Sequence, residues 1–357
     1  MKELTYAEAI KDALDIMMGK DENIFLIGEG VPDPKSIFGT TKGLKEKYGE
    51  KRVLDMPLSE NALTGVCIGA SIAGLRPVMI HQRIDFSLYS MDQIVNNAAK
   101  WCYMFNGAYK VPLVIRMIIG RGWGQGPQHS QNLQNLFAQV PGLKVVMPTT
   151  PYDAKGLLIA SIEDNNPVIF IEHRWLHNLK GFVPEGYYRI PLSEPEVIKK
   201  GKDITIVSTS YMVLESIKAT EILNKINIFP EIIDLRTLTP LNDSKLIESV
   251  KKTNHLLVCD LGCKTGGFAG EIITRVIEKS FESLKSSPQR ITSPDHPVPS
   301  TPALANYYYP LSIDIIKSVL KILNKSQRDF QLAEELYKEK YKDVSLDQPD
   351  PTFEGPF

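Results

Sequence analysis

Short runs of apolar residues alternate with helical segments along most of this chain. Four such runs lie at 23–30, 76–81, 111–118 and 167–172, and the helical patterns include 3–19, 87–105 and 151–163. Runs that are apolar throughout are typical of parallel strands covered on both faces, and parallel strands need a long crossover that is usually a helix. The alternation therefore predicts an α/β fold built on mainly parallel sheets.

A second block of the same kind begins near residue 203. Strand patterns at 203–208 and 231–235 alternate there with helical patterns, and no internal repeat relates the two blocks. A chain of 357 residues is long enough for two domains. We predict two three-layer α/β domains, at 1–190 and 191–325, and a C-terminal extension at 326–357 made of a surface helix and an extended arm.

Composition and charge exclude several classes of function. With 41 basic and 42 acidic residues the formal net charge is −1, so nothing favours nucleic acid or an anionic membrane as a partner. No apolar run reaches the ~18 residues that a membrane span needs, and the first residues lack the apolar core of a signal peptide. The four cysteines do not show zinc-ligand spacing. We expect a cytoplasmic enzyme with reduced thiols.

The segment 55–60 delivers one carboxylate, Glu60, to the start of a helix rich in small residues. Gly65 and Gly69 lie one turn apart in that helix, which would let another backbone approach closely. Burial of an acid against such a closely packed helix disfavours its charged form. An acid at a helix N-terminus can also simply complement the helix dipole. The local sequence leaves both interpretations open.

Two further segments place polar and aromatic side chains after predicted strands. The glycine-rich loop 120–131 contains His129 and leads into a helix near Asn132. Its spacing matches neither a dinucleotide-binding fingerprint nor a P-loop. The segment 81–89 carries polar residues with two aromatics. Ligands of α/β sheets bind at the carboxyl ends of strands, so both segments are candidate site loops. A lone histidine is more often structural, however, and both aromatics could be core residues.

At this point the motifs resemble a known family, the beta subunits of the decarboxylase component of 2-oxo acid dehydrogenase complexes (pyruvate, branched-chain and acetoin types). The resemblance covers about residues 3–323. It rests on the combined motifs at 25–29, 57–60, 73–77, 92–96, 128–131, 141–146, 234–238 and 252–255.

The resemblance implies a thiamine-diphosphate-binding site and two transketolase-like domains, one for the pyrimidine and one C-terminal. Glu60 matches the acid that bonds N1′ of the cofactor's aminopyrimidine, and Phe86 matches the aromatic stacked on that ring. His129 matches the histidine that handles the acyl intermediate or its acceptor. The resemblance also assigns to the cofactor site Leu58, Glu29, Asp85 and Tyr89. It implies a potassium-type site at Leu113, Ser161, Ile162, Asp164 and Asn166.

One motif of thiamine enzymes is missing. They hold magnesium and diphosphate through a Gly-Asp-Gly stretch followed by an asparagine, and this sequence has no Gly-Asp-Gly. The resemblance therefore places magnesium and diphosphate on a separate alpha subunit in an α2β2 heterotetramer, with a lipoyl transacylase core as a further partner.

Several residues depart from the family pattern and bear on the acceptor. They are His81, Gln82, Arg83 and Trp123, and Gln128 is assigned to the acceptor together with them. The reaction implied is decarboxylation of a 2-oxo acid, expected to be pyruvate, with transfer of the acyl unit to a lipoyl domain. Extra donors would also suit carboligation to a keto-sugar. A catalytically silent scaffold is the third hypothesis, and intact Glu60 and His129 argue against it. The departing residues could equally fill a subunit interface.

Overall fold

The computed structural model describes residues 1–33, 37–120 and 124–342. The described chain divides into two compact units: the first comprises Met1–Leu192 with Thr237–Pro240, and the second comprises Ser193–Arg236 with the described residues 241–342. The arm predicted at the end of the chain lies outside the described residues.

Strands and helices alternate as the apolar pattern predicts. Up to residue 183 they are β1 (Lys2–Thr5), α1 (Tyr6–Lys20), β2 (Ile24–Gly28), α2 (Leu44–Tyr48), β3 (Val53–Leu54), α3 (Glu60–Ile72), β4 (Arg76–His81), α4 (Ala99–Met104), β5 (Val114–Ile119), α5 (Gln134–Ala138), β6 (Lys144–Val146), α6 (Pro151–Glu163), β7 (Val168–His173) and β8 (Lys180–Val183). From residue 196 they are β9 (Glu196–Lys199), β10 (Ile204–Ser208), α7 (Tyr211–Lys225), β11 (Pro230–Asp234), β12 (Thr237–Thr239), α8 (Ser244–Thr253), β13 (Leu256–Cys263), α9 (Phe268–Ser280), β14 (Gln289–Ser293), α10 (Pro302–Tyr308), α11 (Ser312–Ile322) and α12 (Gln327–Tyr341).

A mainly parallel sheet forms the centre of the first unit. Among the described residues its strand order is β12-β6-β7-β5-β4-β2-β3, and only β12 runs antiparallel to its neighbour. Every residue of β5 and β7 is buried, as expected for strands covered on both faces. The carboxyl ends of β3, β2, β4, β5 and β7 therefore lie along one edge of the sheet.

The second unit has its own sheet with the order β14-β13-β10-β11-β9 in the part of the chain that the structure describes. Only β9 is antiparallel to its neighbour. Together the two sheets confirm the predicted fold class. A capping box of Ser326 and Asp329 starts α12 where the surface helix was predicted. No helix among the described residues is long and apolar enough to cross a membrane.

Helix α1 begins later than its apolar spacing predicts. The Thr5 side chain accepts a hydrogen bond from the Glu8 backbone N–H, and Glu8 Oε2 accepts from the Thr5 N–H at 2.8 Å. This capping box fixes the helix start. Residues 2–5 instead pair antiparallel with β8, which shows that the prediction of helix from residue 3 was wrong at its first turn.

The predicted helix at 87–105 is broken into three segments. A 3₁₀ segment spans Ile84–Ser90 and a π-helical segment spans Gln93–Ala98, before α4 begins. Asn96 Nδ2 donates to Asp92 Oδ1 at 2.8 Å within this region. Side-chain bonds of this kind compete with regular helix bonding, and helical periodicity alone does not distinguish the helix types. The 3₁₀ segment carries three of the predicted site residues, Asp85, Phe86 and Tyr89.

Candidate functional site

An open cleft of about 590 Å³ lies at the carboxyl edge of the first sheet. Three strand ends build it: the turn after β2, the connection from β3 to α3, and the segment after β4. Its lining residues are Glu29, Gly30, Asp33, Asp55, Met56, Pro57, Leu58, Glu60, Gln82 and Phe86. The cleft thus brings together five of the predicted site residues: Glu29, Leu58, Glu60, Gln82 and Phe86.

Asp55 fixes the turn that carries Glu60. Its Oδ1 accepts from the backbone N–H of Gly30 at 3.0 Å and from that of Met56 at 2.9 Å, which ties the ends of β2 and β3 together. Glu60 then begins α3 and is half-buried. The N-cap residue Ser59 makes no side-chain cap bond. A carboxylate is electrostatically favoured at this end of a helix.

Glu29 is a second carboxyl group in the same cleft. Burial raises its pKa, and the negative charges of Glu60 and Asp55 raise it further. Gln82 Nε2 donates to the Glu29 carbonyl at 3.1 Å and so holds this turn against the end of β4. The cleft therefore offers acids in unequal environments, which is the arrangement that separates proton-donating from proton-accepting roles.

Apolar side chains complete the cleft and connect it to His129. Leu58 lines it with 76% of its surface exposed, and Phe86 is half-buried. The rings of Phe86 and His129 meet edge to face with centroids 5.4 Å apart. A short 3₁₀ turn, Gly126–Gln128, presents His129 at this position, and Gln128 is exposed on it.

Two residues assigned to the cofactor lie away from the cleft lining. Asp85 is buried, and its Oδ1 accepts from Gln131 Nε2 at 2.7 Å. Burial raises its pKa more than that hydrogen bond lowers it. Asp85 thereby ties the Phe86 segment to the loop of His129. Tyr89 is 75% exposed and is not among the cleft-lining residues.

The residues assigned to the acceptor occupy different environments. Gln82 lines the cleft, whereas His81 is buried in the sheet and Arg83 is buried beside the glycine-rich loop. Arg83 Nη1 donates to the Gly120 carbonyl at 3.3 Å, and its Nη2 donates to Gln125 Oε1 at 2.5 Å. Trp123 lies outside the described residues. The acceptor roles stay predictions.

We expect the buried His81 to make the first unit less stable in acid. Burial lowers its pKa from 6.5 to about 4, so between these values the unfolded chain binds a proton that the folded chain excludes. Stability falls as the pH decreases from 7 to 5, by ~2 kcal/mol for this group. His177, also lowered to about 4, adds to the loss. His81→Phe should remove the part of this pH dependence that His81 causes. The measurement is urea unfolding, followed by tryptophan fluorescence, at pH 7 and at pH 5. An unchanged pH dependence in that variant would contradict the assignment.

Two of the residues assigned to a potassium-type site, Ile162 and Asp164, contact a guanidinium group through their backbone carbonyls. Arg76 Nη1 donates to the carbonyls of Ile162 at 2.9 Å and Asp164 at 3.2 Å. The carbonyl of Leu113 accepts from a strand N–H at 2.9 Å, and that of Ser161 from the N–H of Asp164 at 3.3 Å. Asn166 donates to Asp164 Oδ1 at 2.9 Å through its N–H. A protein cation, Arg76, therefore already contacts two of the five carbonyls, and the potassium-type site stays a prediction.

Sequence reasoning missed two kinds of residue. Asp55 and Asp33 line the cleft, and the first of these was quoted only as part of a turn. Arg174, which follows β7, was not singled out, although it is a buried cation. A charged residue directly after an apolar run was the available signal in both cases. In the described part of the chain no cluster of three or more His, Cys, Asp or Glu side chains could hold a metal ion.

Comparisons with known proteins agree with this organisation. Residues 2–179 match the family model "Transketolase, pyrimidine binding domain", and residues 193–315 match "Transketolase, C-terminal domain". The beta subunit of acetoin:2,6-dichlorophenolindophenol oxidoreductase of Cupriavidus necator is 42% identical, with 90% of this chain and 98% of that protein covered.

A second relative is the pyruvate dehydrogenase E1 component subunit beta of Porphyra purpurea, which is 41% identical over 92% of this chain and 99% of that protein. A solved structure described as a split-gene transketolase, inactive beta4 tetramer, superposes with a TM-score of 0.71 at 23% identity. It covers 90% of this chain and 99% of that one. At this identity the superposition shows the shared fold.

Proposed function

Because the chain belongs to the transketolase-like family that includes the beta subunits of pyruvate dehydrogenase and acetoin oxidoreductase, we propose that it is the beta subunit of a thiamine-diphosphate-dependent 2-oxo acid decarboxylase. The substrate proposed is pyruvate, and the acceptor is a lipoyl domain, as in dehydrogenase complexes. The observation that carries the proposal is the cleft that Glu60, Glu29 and Phe86 line together.

The cleft fits the aminopyrimidine half of the cofactor. Leu58 and Phe86 provide apolar and aromatic surface for a flat ring, and the carboxyl groups of Glu60 and Glu29 provide partners for ring and exocyclic nitrogens. The cleft does not fit the diphosphate. Its described lining carries four acidic residues and no Lys or Arg, so an anionic group would be repelled there. This supports an alpha subunit that holds diphosphate and magnesium.

The residues of this chain then have distinct tasks. When bound, thiamine diphosphate supplies the nucleophilic carbon and the electron sink for decarboxylation. Glu60 holds a proton at N1′ of the aminopyrimidine. Burial and the negative charges of Glu60 and Asp55 raise the pKa of Glu29, so Glu29 holds a proton more readily than an isolated glutamate does. Phe86 orients the ring, and His129 is held against Phe86 to exchange a proton with the substrate or acceptor.

An exposed small-residue surface supports the partner subunit. Part of the small-residue surface predicted in α3 is left exposed by the described residues of this chain. Val66 is 58% exposed, and a Cβ added at Gly69 would meet nothing within 4 Å. In α4, Tyr103 is 88% exposed and Met104 is 55% exposed. Large exposed apolar side chains are common at subunit interfaces, so we propose that both helices pack against other subunits of an α2β2 assembly.

The proposed function predicts acyl transfer by the assembled enzyme. The chain, purified with its alpha partner, thiamine diphosphate and magnesium, is expected to acylate a lipoyl domain when given pyruvate. The product is measured by mass spectrometry of the lipoyl domain. A parallel reaction with a keto-sugar tests carboligation, and ligated sugar without acyl-lipoyl product would overturn the choice of acceptor.

Binding of the cofactor provides the control for this experiment. The chain alone should bind thiamine diphosphate at least tenfold more weakly than the complex does, measured by titration calorimetry, because the acidic cleft offers nothing to the diphosphate. Equally tight binding by the chain alone would contradict the proposed division of the site between two subunits.

A further inference from the structure

One short segment after β4 holds the loop of His129 at two points. Arg83 Nη2 donates to Gln125 Oε1 at 2.5 Å, and Gln125 lies four positions before the histidine. Asp85 Oδ1 accepts from Gln131 Nε2 at 2.7 Å, and Gln131 lies two positions after it. The loop is therefore bonded to the same segment on both sides of His129.

Phe86 supplies a third contact, with His129 itself. The two rings meet edge to face with centroids 5.4 Å apart. Phe86 directly follows Asp85, so the ring contact and the bond to Gln131 come from adjacent residues of the 3₁₀ segment. An edge-to-face contact tolerates a range of ring separations. The position of the imidazole therefore also depends on the bonds that hold its loop.

The loop has little regular structure that could fix His129 without these bonds. In its described residues, the helical turn between β5 and α5 is Gly126–Gln128, and the His129 N–H reaches the Gly126 carbonyl at 3.4 Å. Gly124 and Gly126 have φ values of 64° and 68°. Glycine gives a backbone this freedom at the cost of order, so the contacts from segment 83–86 are needed to set where the histidine lies.

The environment of Asp85 suits a residue that holds the loop. Asp85 is 7% exposed and is not among the residues that line the cleft. Hydrogen bonds from the side chain and the backbone N–H of Gln131 lower its pKa, while burial raises the pKa by more. A buried carboxyl group that loses its hydrogen-bond partner is costly, so the positions of Asp85 and Gln131 depend on each other.

We propose that Asp85 and Gln131 are positioning residues for His129, because their hydrogen bond sets where the imidazole lies against Phe86. The inference deepens the proposed function and rests on it for the reaction that His129 serves. It gives Asp85 a task other than contact with the cofactor. A reacting group displaced by about 1 Å can lose about 10²-fold in rate, so a bond that does not touch the substrate is able to control turnover.

Reversing the polarity of the bond tests this role. Gln131→Glu replaces the donor by a second acceptor, so the two carboxyl groups repel and the bond is lost. In the double variant Asp85→Asn with Gln131→Glu, the new amide donates to the new carboxylate, and the bond is restored with donor and acceptor exchanged. Both replacements keep the shapes of the side chains, so the packing is the same in each variant.

Kinetics of the assembled enzyme gives the first measurement. Gln131→Glu should lower kcat for acyl transfer to a lipoyl domain about 10–100-fold, with a smaller change in KM for pyruvate, and the double variant should recover most of this loss. Gln139→Glu is the matched control, because Gln139 is an exposed glutamine of the same unit, and it should keep full turnover. An unchanged kcat in Gln131→Glu, or a double variant no faster than Gln131→Glu, would overturn the proposal.

Calorimetric binding of thiamine diphosphate distinguishes positioning from direct contact with the cofactor. The affinity of the complex for thiamine diphosphate should be the same with Asp85→Asn as without it, because Asp85 does not line the cleft. Weaker binding in Asp85→Asn would assign Asp85 to the cofactor and overturn its role as a positioning residue.

Chemical modification of His129 provides a measurement that needs no turnover. The complex without cofactor is treated with diethyl pyrocarbonate, and the rate at each histidine is followed by peptide mass spectrometry, with the exposed His296 as internal reference. Gln131→Glu should raise the rate at His129 several-fold, because a displaced imidazole loses its cover by Phe86, and the double variant should restore the original rate. A rate at His129 that does not rise in Gln131→Glu would overturn the proposal. Absence of acyl transfer by the unchanged complex defeats the proposed function, whereas the changed reactivity of His129 stands by itself.

Discussion

Glu60→Gln is expected to lower the turnover of the assembled enzyme on a 2-oxo acid by about 10²–10⁴-fold, the range for loss of a positioned acid–base group. Glutamine keeps the shape of the side chain but cannot hold and return a proton at the aminopyrimidine nitrogen. Turnover is measured as pyruvate consumption with a dye as electron acceptor. Because Glu60 belongs to the chemical step, kcat should fall far more than the affinity for pyruvate changes.

The fold should tolerate this substitution. Glu60 is half-buried, and the bond that it contributes to α3, from the Thr64 hydroxyl at 2.7 Å, goes to its backbone carbonyl. Glu46→Gln is the matched control, because Glu46 is an exposed acid in the first turn of α2. The control should retain full turnover. Near-normal turnover in Glu60→Gln, with unchanged unfolding, would remove Glu60 from the chemistry.

Much of the fold could be predicted because the spacing of apolar residues indicates which strands and which helix faces are buried. Strand β4 and helix α6 have the bounds that the pattern predicts. The elements that the apolar pattern did not predict are short or lie at the edge of a sheet. Strand β12, for example, has three residues and pairs antiparallel with β6. Their pairing partners are distant in sequence, and a run of three or four residues carries too little pattern to indicate a strand.

The cleft residues that lie at strand ends could be predicted from the sequence, whereas the burial of their neighbours could not. Glu60, Glu29, Leu58 and Phe86 line one cleft. His81 immediately precedes the cleft residue Gln82, yet it is buried. Successive residues of a strand point to opposite faces, so adjacency in sequence places two neighbours in different surroundings. The charge of Arg83 lowers the pKa of Arg174, which lies 91 positions further along the chain, and the sequence does not indicate this proximity without the sheet order.

A buried ion pair provides the largest expected effect on stability. Arg116 and Glu172 are both fully buried on neighbouring strands, with Nε–Oε1 and Nη2–Oε2 distances of 2.6 and 2.9 Å. Burial alone would raise the pKa of Glu172, but the charge of Arg116 and the bond with His177 outweigh it and hold the pKa at about 2. Its stabilising contribution is therefore complete above pH ~4.5 and is lost as the pH falls toward 2.

Removing one partner of this pair should cost about 3–5 kcal/mol, because the other charge is left buried without compensation. We expect Arg116→Met and Glu172→Leu each to lower the free energy of unfolding by that amount at pH 7. The measurement is urea unfolding followed by tryptophan fluorescence, which reports on the first unit because the three tryptophans lie at positions 101, 123 and 175.

The double variant Arg116→Met with Glu172→Leu tests whether the ion pair stabilises the fold more than two apolar side chains in its place would. Two well-packed apolar side chains leave no charge uncompensated, so the double variant should be more stable than either single variant. His177 would lose its carboxylate partner at 3.1 Å, which limits the recovery. Additive losses in the double variant would show that Arg116 and Glu172 act through separate contacts and would contradict the coupling inferred from their geometry.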